Sequence, residues 1–188
     1  MDLIAYCRSK IKLSSEDADR IDALFLRQLY AKGEIILTPE SMSQKLIFIE
    51  QGLMRMFYQK EDKDITFLFR DENSFTAPVN SIFYNKPSPY GWEALENCTV
   101  RSIRYPDMEA LYSQIRSLES LERIILIESI KIVGNKLFAI QFQTAEQRYN
   151  HMIKVFPEIL LRAPLGHIAS YLGITQQTLS VIRGKKHV

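Results

Sequence analysis

The stretch PLGHIASYLGITQQTLSVIRGKK, residues 164–186, decides how the C-terminal part of this 188-residue chain folds. It contains two short runs with apolar residues at helical spacing, and Gly173 separates them. Ala169 leaves room for a second helix to approach, and Gly173 supplies the left-handed residue that ends the first helix. The apolar positions are Leu165, Ile168, Leu172, Ile174, Leu179 and Ile182. The pattern predicts two helices joined by a tight turn, a helix-turn-helix.

The second helix of this pair is predicted to present an outer face without acidic residues. Thr175 can cap the helix, while Leu179 and Ile182 point inward. Such a face approaches phosphates without repulsion, and a Gln amide can bond an adenine edge. We therefore predict DNA contact by Thr175, Gln176, Gln177, Thr178, Ser180, Val181, Arg183, Lys185 and Lys186. A plain helical hairpin inside a core is the alternative interpretation of the same spacing.

Charge is distributed unevenly along the chain. The formal net charge is only +2, but residues 145–188 hold six Lys or Arg residues against two acidic ones. This basic excess lies beside the helix pair and favours nucleic acid as its partner. The N-terminus shows no signal-peptide pattern, and no apolar run approaches about 18 residues. The sequence therefore predicts a cytoplasmic protein without a membrane span.

Residues 32–104 have a different texture from the rest of the chain. They are rich in Ile, Phe, Tyr, Thr and Val and are interrupted by turn residues, which predicts an antiparallel β-roll of the jelly-roll type. Within this zone LMRMFYQK, EDKD and ITFLF, together residues 53–69, predict a hairpin. Helical spacing predicts helices over residues 1–10 and 15–30. The fold class is therefore α+β, a roll with flanking helices.

Residues 117–142 are predicted to form one long helix, ~40 Å at about 1.5 Å per residue. Its apolar residues occupy more than one side: Leu118, Leu121, Ile124, Ile125, Ile127, Ile130, Ile132, Val133 and Leu137. Such a helix must be covered more than once. The β zone can cover one side, and a second copy of the chain is the simplest cover for the other. We predict a homodimer through about residues 117–142; burial within a single chain is the alternative.

Shorter helices are predicted on both sides of the long one. Pro106 opens a helix that ends near Arg116, and Thr144 caps a helix that ends near Phe156. The predicted organisation is an effector-type roll with flanking helices over residues 1–116, a dimerisation helix over 117–143 and a helix-turn-helix domain over 144–188.

Three motifs give the chain a family resemblance: WEALENC at residues 92–98, TAEQRY at 144–149, and IASYLGITQQTLSVIR at 168–183. Together they resemble the Crp/Fnr superfamily, that of the cyclic-AMP receptor protein and the fumarate–nitrate regulator, over nearly the whole chain. The resemblance implies a cyclic-nucleotide-binding-type roll, a dimerisation helix and a C-terminal helix-turn-helix. It implies a transcription regulator, not an enzyme, with double-stranded DNA and RNA polymerase as partners.

The resemblance also shows where a ligand pocket would lie and how it differs here. Ligand-binding members use a Gly-Glu pair for the ribose and an Arg-Ser pair for the cyclic phosphate. Here Asp71 precedes Glu72, and Ser88 and Pro89 stand where Arg-Ser would align. A buried phosphate without a counter-charge is costly, so we predict no tight binding of cyclic AMP. The alternative is that Lys86 replaces the Arg through a shifted loop.

The predicted effector pocket comprises Glu72, Asn73, Ser74, Phe75, Ser88, Pro89, Tyr90 and Trp92. Either it is empty, or it holds another small apolar or aromatic-stacking molecule. No cofactor is expected.

The recognition helix departs from the family as well. Gln177 and Val181 occupy the places of a Glu and an Arg that often read a G·C-containing half-site, so a different target sequence is expected. The chain stops five residues after Arg183, without room for the β-hairpin wing of many members. Fewer phosphate contacts should make binding weaker and more sensitive to salt.

Other functions fit the sequence less well. A jelly-roll metalloenzyme needs clustered His ligands, but the three histidines, His151, His167 and His187, all lie in the C-terminal helices. Cys7 and Cys98 have no evident base partner and are too few for a metal–sulfur cluster. The remaining alternative is a small-molecule or protein-interaction module whose paired helices do not contact DNA.

Overall fold

Two four-stranded antiparallel sheets form the roll in a computed structural model, which describes residues 1–61 and 63–184. The strands are β1 Leu26–Tyr30, β2 Ile35–Leu37, β3 Lys45–Gln51, β4 Met54–Lys60, β5 Lys63–Arg70, β6 Ser74–Thr76, β7 Gly91–Ala94 and β8 Cys98–Arg104. Their orders are β1-β8-β3-β6 and β2-β7-β4-β5. The predicted hairpin is confirmed as β4 and β5, whose register runs from Met54↔Arg70 to Lys60↔Lys63. Asp62, within its predicted turn, lies outside the described residues.

Helices surround the roll and continue beyond it. They are α1 Leu3–Lys10, α2 Ser15–Leu24, α3 Val79–Tyr84, α4 Tyr105–Gln114, α5 Ser117–Phe142, α6 Ala145–Val155, α7 Ile159–Arg162, α8 Leu165–Leu172 and α9 Gln176–Gly184. The predicted bounds of α5 are confirmed, and so is the Thr144 cap of α6, where Thr144 and Gln147 form a reciprocal capping box. The short helices α3 and α7 were not predicted.

The predicted helix over residues 15–30 is wrong in its second half. The helix ends at Leu24, and the chain turns extended at Phe25, which is buried. Residues Leu26–Tyr30 instead pair with β8, in a register from Leu26↔Ser102 to Tyr30↔Cys98. The N–H and C=O groups along this side of β8 need hydrogen-bond partners, and Leu26–Tyr30 supplies them as a neighbouring strand. This long-range pairing outweighs the weak local helical pattern of the segment.

Three apolar clusters hold the chain together. One joins α1, α2, α4 and the start of α5 to the roll, and a second fills the roll itself around Trp92. The third includes Leu53 and Leu95 of the roll with the buried faces of α6 to α9. The C-terminal helices therefore pack on the roll of the same chain. In the described part of the chain, no helix combines the length and apolar character needed to cross a membrane.

Candidate functional site

Helices α8 and α9 form the tight pair that the sequence predicts. Gly173 between them has a φ of 67°, the left-handed conformation that glycine adopts readily. The hydroxyl of Thr175 accepts a hydrogen bond of 3.1 Å from the N–H of Thr178 and so caps α9. Ala169, Leu179 and Ile182 are buried where the helices meet. The structural task predicted for each of these residues is confirmed.

The outer face of α9 is exposed along its described length. Gln176, Gln177, Thr178, Ser180 and Val181 are exposed, and α9 carries no acidic residue in its first turn and a basic one in its last. This face is therefore open to a partner. Of the other predicted contacts, Arg183 is half-buried, while Lys185 and Lys186 lie outside the described residues.

The two glutamines at the start of α9 are not equivalent. A Cβ built on Gly166 would lie 2.5 Å from the side-chain amide nitrogen of Gln176, so this side chain already packs against α8. Gln177 has no such neighbour at Gly166. Gln177 is therefore the freer of the two amides to meet a base edge.

Helix α8 contacts the roll as well as α9. Ser170 Oγ accepts a hydrogen bond of 2.9 Å from the N–H of Thr66 on β5. The ring of Tyr171 packs on that of Phe69, with centroids 5.2 Å apart. Because β5 is the edge strand of its sheet, α8 covers an edge that would otherwise be open.

An arginine joins the C-terminal helices to the roll through two carboxylates. The Arg162 guanidinium donates to both carboxylate oxygens of Glu72, at 2.7 and 3.0 Å, and to Glu96 at 2.6 Å. Glu72 Oε1 also accepts from the N–H of Gly52 at 2.8 Å. Burial alone would raise the pKa of Glu72, but these bonds hold it below its usual range. We call Arg162, Glu72 and Glu96 the clamp.

A second ion cluster lies under the first turn of α8. Arg55, only 3% exposed, donates to both oxygens of Asp64 and to Glu93. Its hydrogen bonds lower the pKa of Asp64. His167 lies near this cluster and is half-buried; burial first, and then the charge of Arg55, lower the pKa of His167.

A cavity of about 290 Å³ lies between the roll and helices α3, α4 and α5. Four of the predicted effector residues line it, namely Phe75, Ser88, Pro89 and Tyr90. The other four lie elsewhere: Glu72 in the clamp, Asn73 bonded to the N-terminal amine, Ser74 bonded to the Asp71 carbonyl, and Trp92 in the core of the roll. Lys86 is exposed and does not line the cavity. The effector assignment stays a prediction.

Arg70 also lines this cavity, although it was not among the predicted effector residues. In the β4–β5 register, Arg70 opposes Met54 and Leu68 opposes Met56, so Arg70 shares the inward face of β5 with Leu68. Its buried Nε has no hydrogen-bond partner among the described residues. The alternation of side chains along ITFLFR carried this signal, because it sets Arg70 on the same face as Leu68.

The C-terminal part of α5 has an exposed apolar face. Its exposed large residues are Leu126, Ile127, Ile130, Ile132, Val133, Leu137, Phe138, Ile140 and Phe142. Only Leu118 and Leu121, in the first two turns, are buried. So many exposed apolar side chains on one helix favour an interaction site. Below, this set of nine residues is called the open face.

A second cavity, of about 240 Å³, lies where β5, α5, α6 and α8 meet. Lys136 of α5 donates a hydrogen bond to the carbonyl of Phe67, and its Nζ lies 4.1 Å from the ring centroid of Tyr171. Burial lowers the pKa of Lys136 to about 8. This lysine therefore contacts both the roll and the helix-turn-helix.

No part of the described chain has a group of three or more His, Cys, Asp or Glu side chains placed to hold a metal ion. Cys7 and Cys98 are free and buried, and burial raises the pKa of each thiol to about 11. Both are therefore protonated at neutral pH and poor nucleophiles.

Comparison with known proteins agrees with this architecture. Residues 27–115 match the model of the family "Cyclic nucleotide-binding domain". The structure of FixK2 from Bradyrhizobium japonicum aligns with a TM-score of 0.75 at 16% identity, over 87% of this chain and 84% of that one. A CooA mutant from Carboxydothermus hydrogenoformans aligns with a TM-score of 0.70 at 18% identity, over 88% and 78%.

The c-di-GMP responsive global regulator CLP of Xanthomonas campestris aligns with a TM-score of 0.69 at 13% identity, over 93% of this chain and 92% of that one. No curated protein matches the sequence. The predicted α+β fold is confirmed by these matches. The roll thus matches the cyclic nucleotide-binding domain family over residues 27–115, and the chain as a whole shares the fold of the three solved structures named above.

Proposed function

We propose that this protein is a DNA-binding transcription regulator that acts as a homodimer. The observation that carries the proposal is the exposed, acid-free outer face of α9, on a helix whose inner face is fully packed. Surface helices commonly expose a polar face, but the absence of any acidic residue from α9 is what a helix that approaches phosphates requires. The similarity of the fold to regulators supports the same conclusion.

Dimerisation is proposed to occur through the open face of α5. Nine large apolar side chains on one helix would cost free energy in water, and packing two such helices together removes this cost. A two-fold pair also presents two copies of α9. Two recognition helices that enter successive major grooves must lie about 34 Å apart.

Recognition is proposed to depend on Gln177 more than on Gln176. Gln177 is exposed, whereas Gln176 packs against Gly166. A glutamine amide bonds the N6 and N7 atoms of adenine, and the methyl groups of Val181 suit a thymine methyl. Thr175, Thr178 and Ser180 offer hydroxyls to phosphates, and Arg183 adds charge. The expected half-site therefore differs from a G·C-centred one.

Cyclic AMP is proposed not to be the effector. Ser88, where the family would place its phosphate-binding Arg, is buried and bonds the carbonyl and N–H of Tyr90. Glu72, which would bond the ribose, is held in the clamp by Arg162. Neither phosphate nor ribose would find its usual partner. Isothermal titration should give no binding at micromolar concentration, and micromolar binding would refute this part of the proposal.

The DNA-binding proposal is tested by selecting duplexes from a random pool and measuring affinity in gel shifts. We expect binding at about 50 mM salt, with a steep loss at higher salt. The variant Gln177→Ala should weaken the selected duplex by about tenfold and relax one base position. Arg183→Ala should weaken all duplexes alike and lower the salt slope by about 1.

The matched control is Gln59→Ala, which removes an exposed glutamine amide at the far end of β4 in the roll. It should leave DNA affinity unchanged. If the wild-type protein binds no duplex at low salt, the regulator proposal fails and the interaction-module alternative stands. Recovery of a G·C-centred half-site would refute the assignment of Gln177 and Val181.

A further inference from the structure

The cavity between the roll and helices α3, α4 and α5 is lined mostly by apolar side chains. Its walls come from α1, α2, β5, α3, α4 and α5, with Phe67, Leu68 and Phe75 on the roll side and Leu126 and Val133 on α5. Its volume of about 290 Å³ is close to the lower end of small-molecule sites, roughly 300 Å³. A ligand here must be small and mostly apolar.

One cation enters this apolar space. Arg70 is the only Lys or Arg among the described residues that line the cavity, and Glu122 is the only acidic one. Glu122 is engaged by a hydrogen bond with Tyr112 at the α4–α5 end. The Nε of Arg70 is buried and unpartnered, and burial lowers the pKa of its guanidinium. The guanidinium nevertheless stays charged at neutral pH.

Two other arginines that are largely withdrawn from solvent are held more firmly. Arg55 bonds Asp64 and Glu93, and Arg162 bonds Glu72 and Glu96. The charge of the neighbouring Asp71 raises the pKa of Arg70, but no hydrogen bond joins Arg70 to a carboxylate among the described residues. The Arg70 guanidinium therefore keeps donors free for an anionic partner.

Two of the other polar side chains that line the cavity already have partners. Ser88 Oγ already donates to the Tyr90 carbonyl, and the Thr76 hydroxyl lies against the sulfur of Met56. The Tyr90 ring stacks on Phe67 with centroids 4.7 Å apart and forms a flat wall. The cavity therefore combines a flat, apolar lining with one guanidinium whose N–H groups can donate hydrogen bonds.

We propose that the cavity binds a small amphipathic carboxylate, with its apolar or aromatic body among the lining residues and its carboxylate on the Arg70 guanidinium. A planar guanidinium binds a carboxylate with two parallel hydrogen bonds. A cyclic nucleotide does not fit this chemistry, because its ribose hydroxyls would meet apolar walls. The inference rests on the proposed function in one respect: such a ligand would be the effector of the regulator.

The position of the cavity connects this ligand to the open face. Leu126 and Val133 line the cavity and are also members of the open face. One turn further along α5, Lys136 contacts the roll and Tyr171 of α8. A ligand that changes the position of α5 relative to the roll would therefore move the helix that carries the proposed dimer contact. The same helix contacts the helix-turn-helix through Lys136.

The test uses the full chain and two matched probe pairs, octanoate with octanamide and 3-phenylpropionate with 3-phenylpropanamide. Isothermal titration should show at least one acid binding below about 1 mM, and its neutral amide at least about tenfold weaker. The bound acid should raise the melting temperature. Arg70→Met should abolish the difference between acid and amide, and Arg70→Lys should retain part of it.

Arg8→Met is the control, since Arg8 is an exposed arginine on α1; it should change nothing. Should Arg70→Met fail to fold, the acid–amide comparison on wild type and Arg70→Lys still decides. The proposal is overturned if acid and amide bind alike, if no acid binds at about 10 mM, or if Arg70→Met keeps the preference.

Gel shifts without probe separate this proposal from the regulator assignment. A folded Arg70→Met protein should bind the selected duplex like wild type in the absence of acid. Wild-type DNA binding together with no acid binding would refute only the ligand. Acid binding together with no DNA binding would refute only the regulator.

Discussion

The two halves of α5 have similar composition and opposite surroundings. In the first half, Leu118 and Leu121 are buried against the roll, α1 and α4. In the second half, Ile130 is 71% exposed and Leu137 is 56% exposed, although both are as apolar as Leu121. A single chain thus buries the apolar residues Leu118 and Leu121 in the first turns of its longest helix and leaves the large apolar residues from Leu126 onward exposed.

An apolar residue on a helix can serve either the folding of its own chain or the contact with a partner. Leu121 contributes to the folding of one chain, because its burial is complete within that chain. Ile130 contributes nothing comparable to the monomer, and the proposed dimer would provide the partner that buries it. Hydrophobicity alone does not tell the two apart, and burial does.

The largest loss of stability is expected from a substitution at a buried position in the first half of α5. Leu121→Ala should lower the free energy of unfolding by about 2–5 kcal/mol, because it leaves a cavity between α5 and the roll. Urea unfolding followed by circular dichroism measures the loss at one fixed protein concentration. A change below about 1 kcal/mol would contradict the packing described for this half.

Substitutions in the second half of α5 should weaken dimer association and leave the folding of the monomer intact. The double variant Ile130→Glu, Leu137→Glu should raise the dimer dissociation constant at least 100-fold, about 2.7 kcal/mol, by placing four charges in the interface of the pair. Sedimentation equilibrium measures it, while circular dichroism shows retained helix. Arg123→Glu, an exposed site in the first half of α5, is the control. A wild type that sediments as a monomer at all concentrations would refute the dimer.

A substitution in the clamp tests whether helices α6 to α8 are held to the roll. Arg162→Met should lower the unfolding free energy by about 1–2 kcal/mol, because Glu72 and Glu96 then face each other without a cation. Increased hydrogen exchange in α6 to α8, with none in α1 or α2, would locate the effect. The control Arg20→Met breaks an exposed pair with Glu16 and should cost below about 1 kcal/mol. Equal losses in both variants would contradict the clamp.

A further test concerns the pH dependence of stability and Lys136, in the second half of α5. Its pKa is lowered to about 8 in the folded chain from an ordinary value of 10.5, so the unfolded chain binds the extra proton between these values. Its contribution to stability should therefore rise with pH from about 8 to 10.5, by at most about 1.4 kcal/mol per pH unit. Lys136→Met should remove this rise in urea unfolding. An unchanged pH dependence would show that Lys136 is solvated.

Much of the candidate site could be predicted from local spacing. The turn at Gly173, the Thr175 cap and the inward Leu179 and Ile182 depend on residues at most a few turns apart. Local patterns of this kind also predicted α5 and the capping box at Thr144. The strand Leu26–Tyr30 was missed because its partner, β8, lies about 70 residues away in the chain.

The sequence by itself determined the antiparallel roll, the long helix and the paired helices with their acid-free face, since periodicity and capping are properties of neighbouring residues. Only the tertiary structure decided that Glu72 belongs to the clamp, that Arg70 lines an apolar cavity, and that the apolar residues of α5 divide into buried and open sets. The physical reason is that partnership and burial depend on elements far apart in sequence. Which charges meet, and which apolar faces are covered, is settled only when those elements pack.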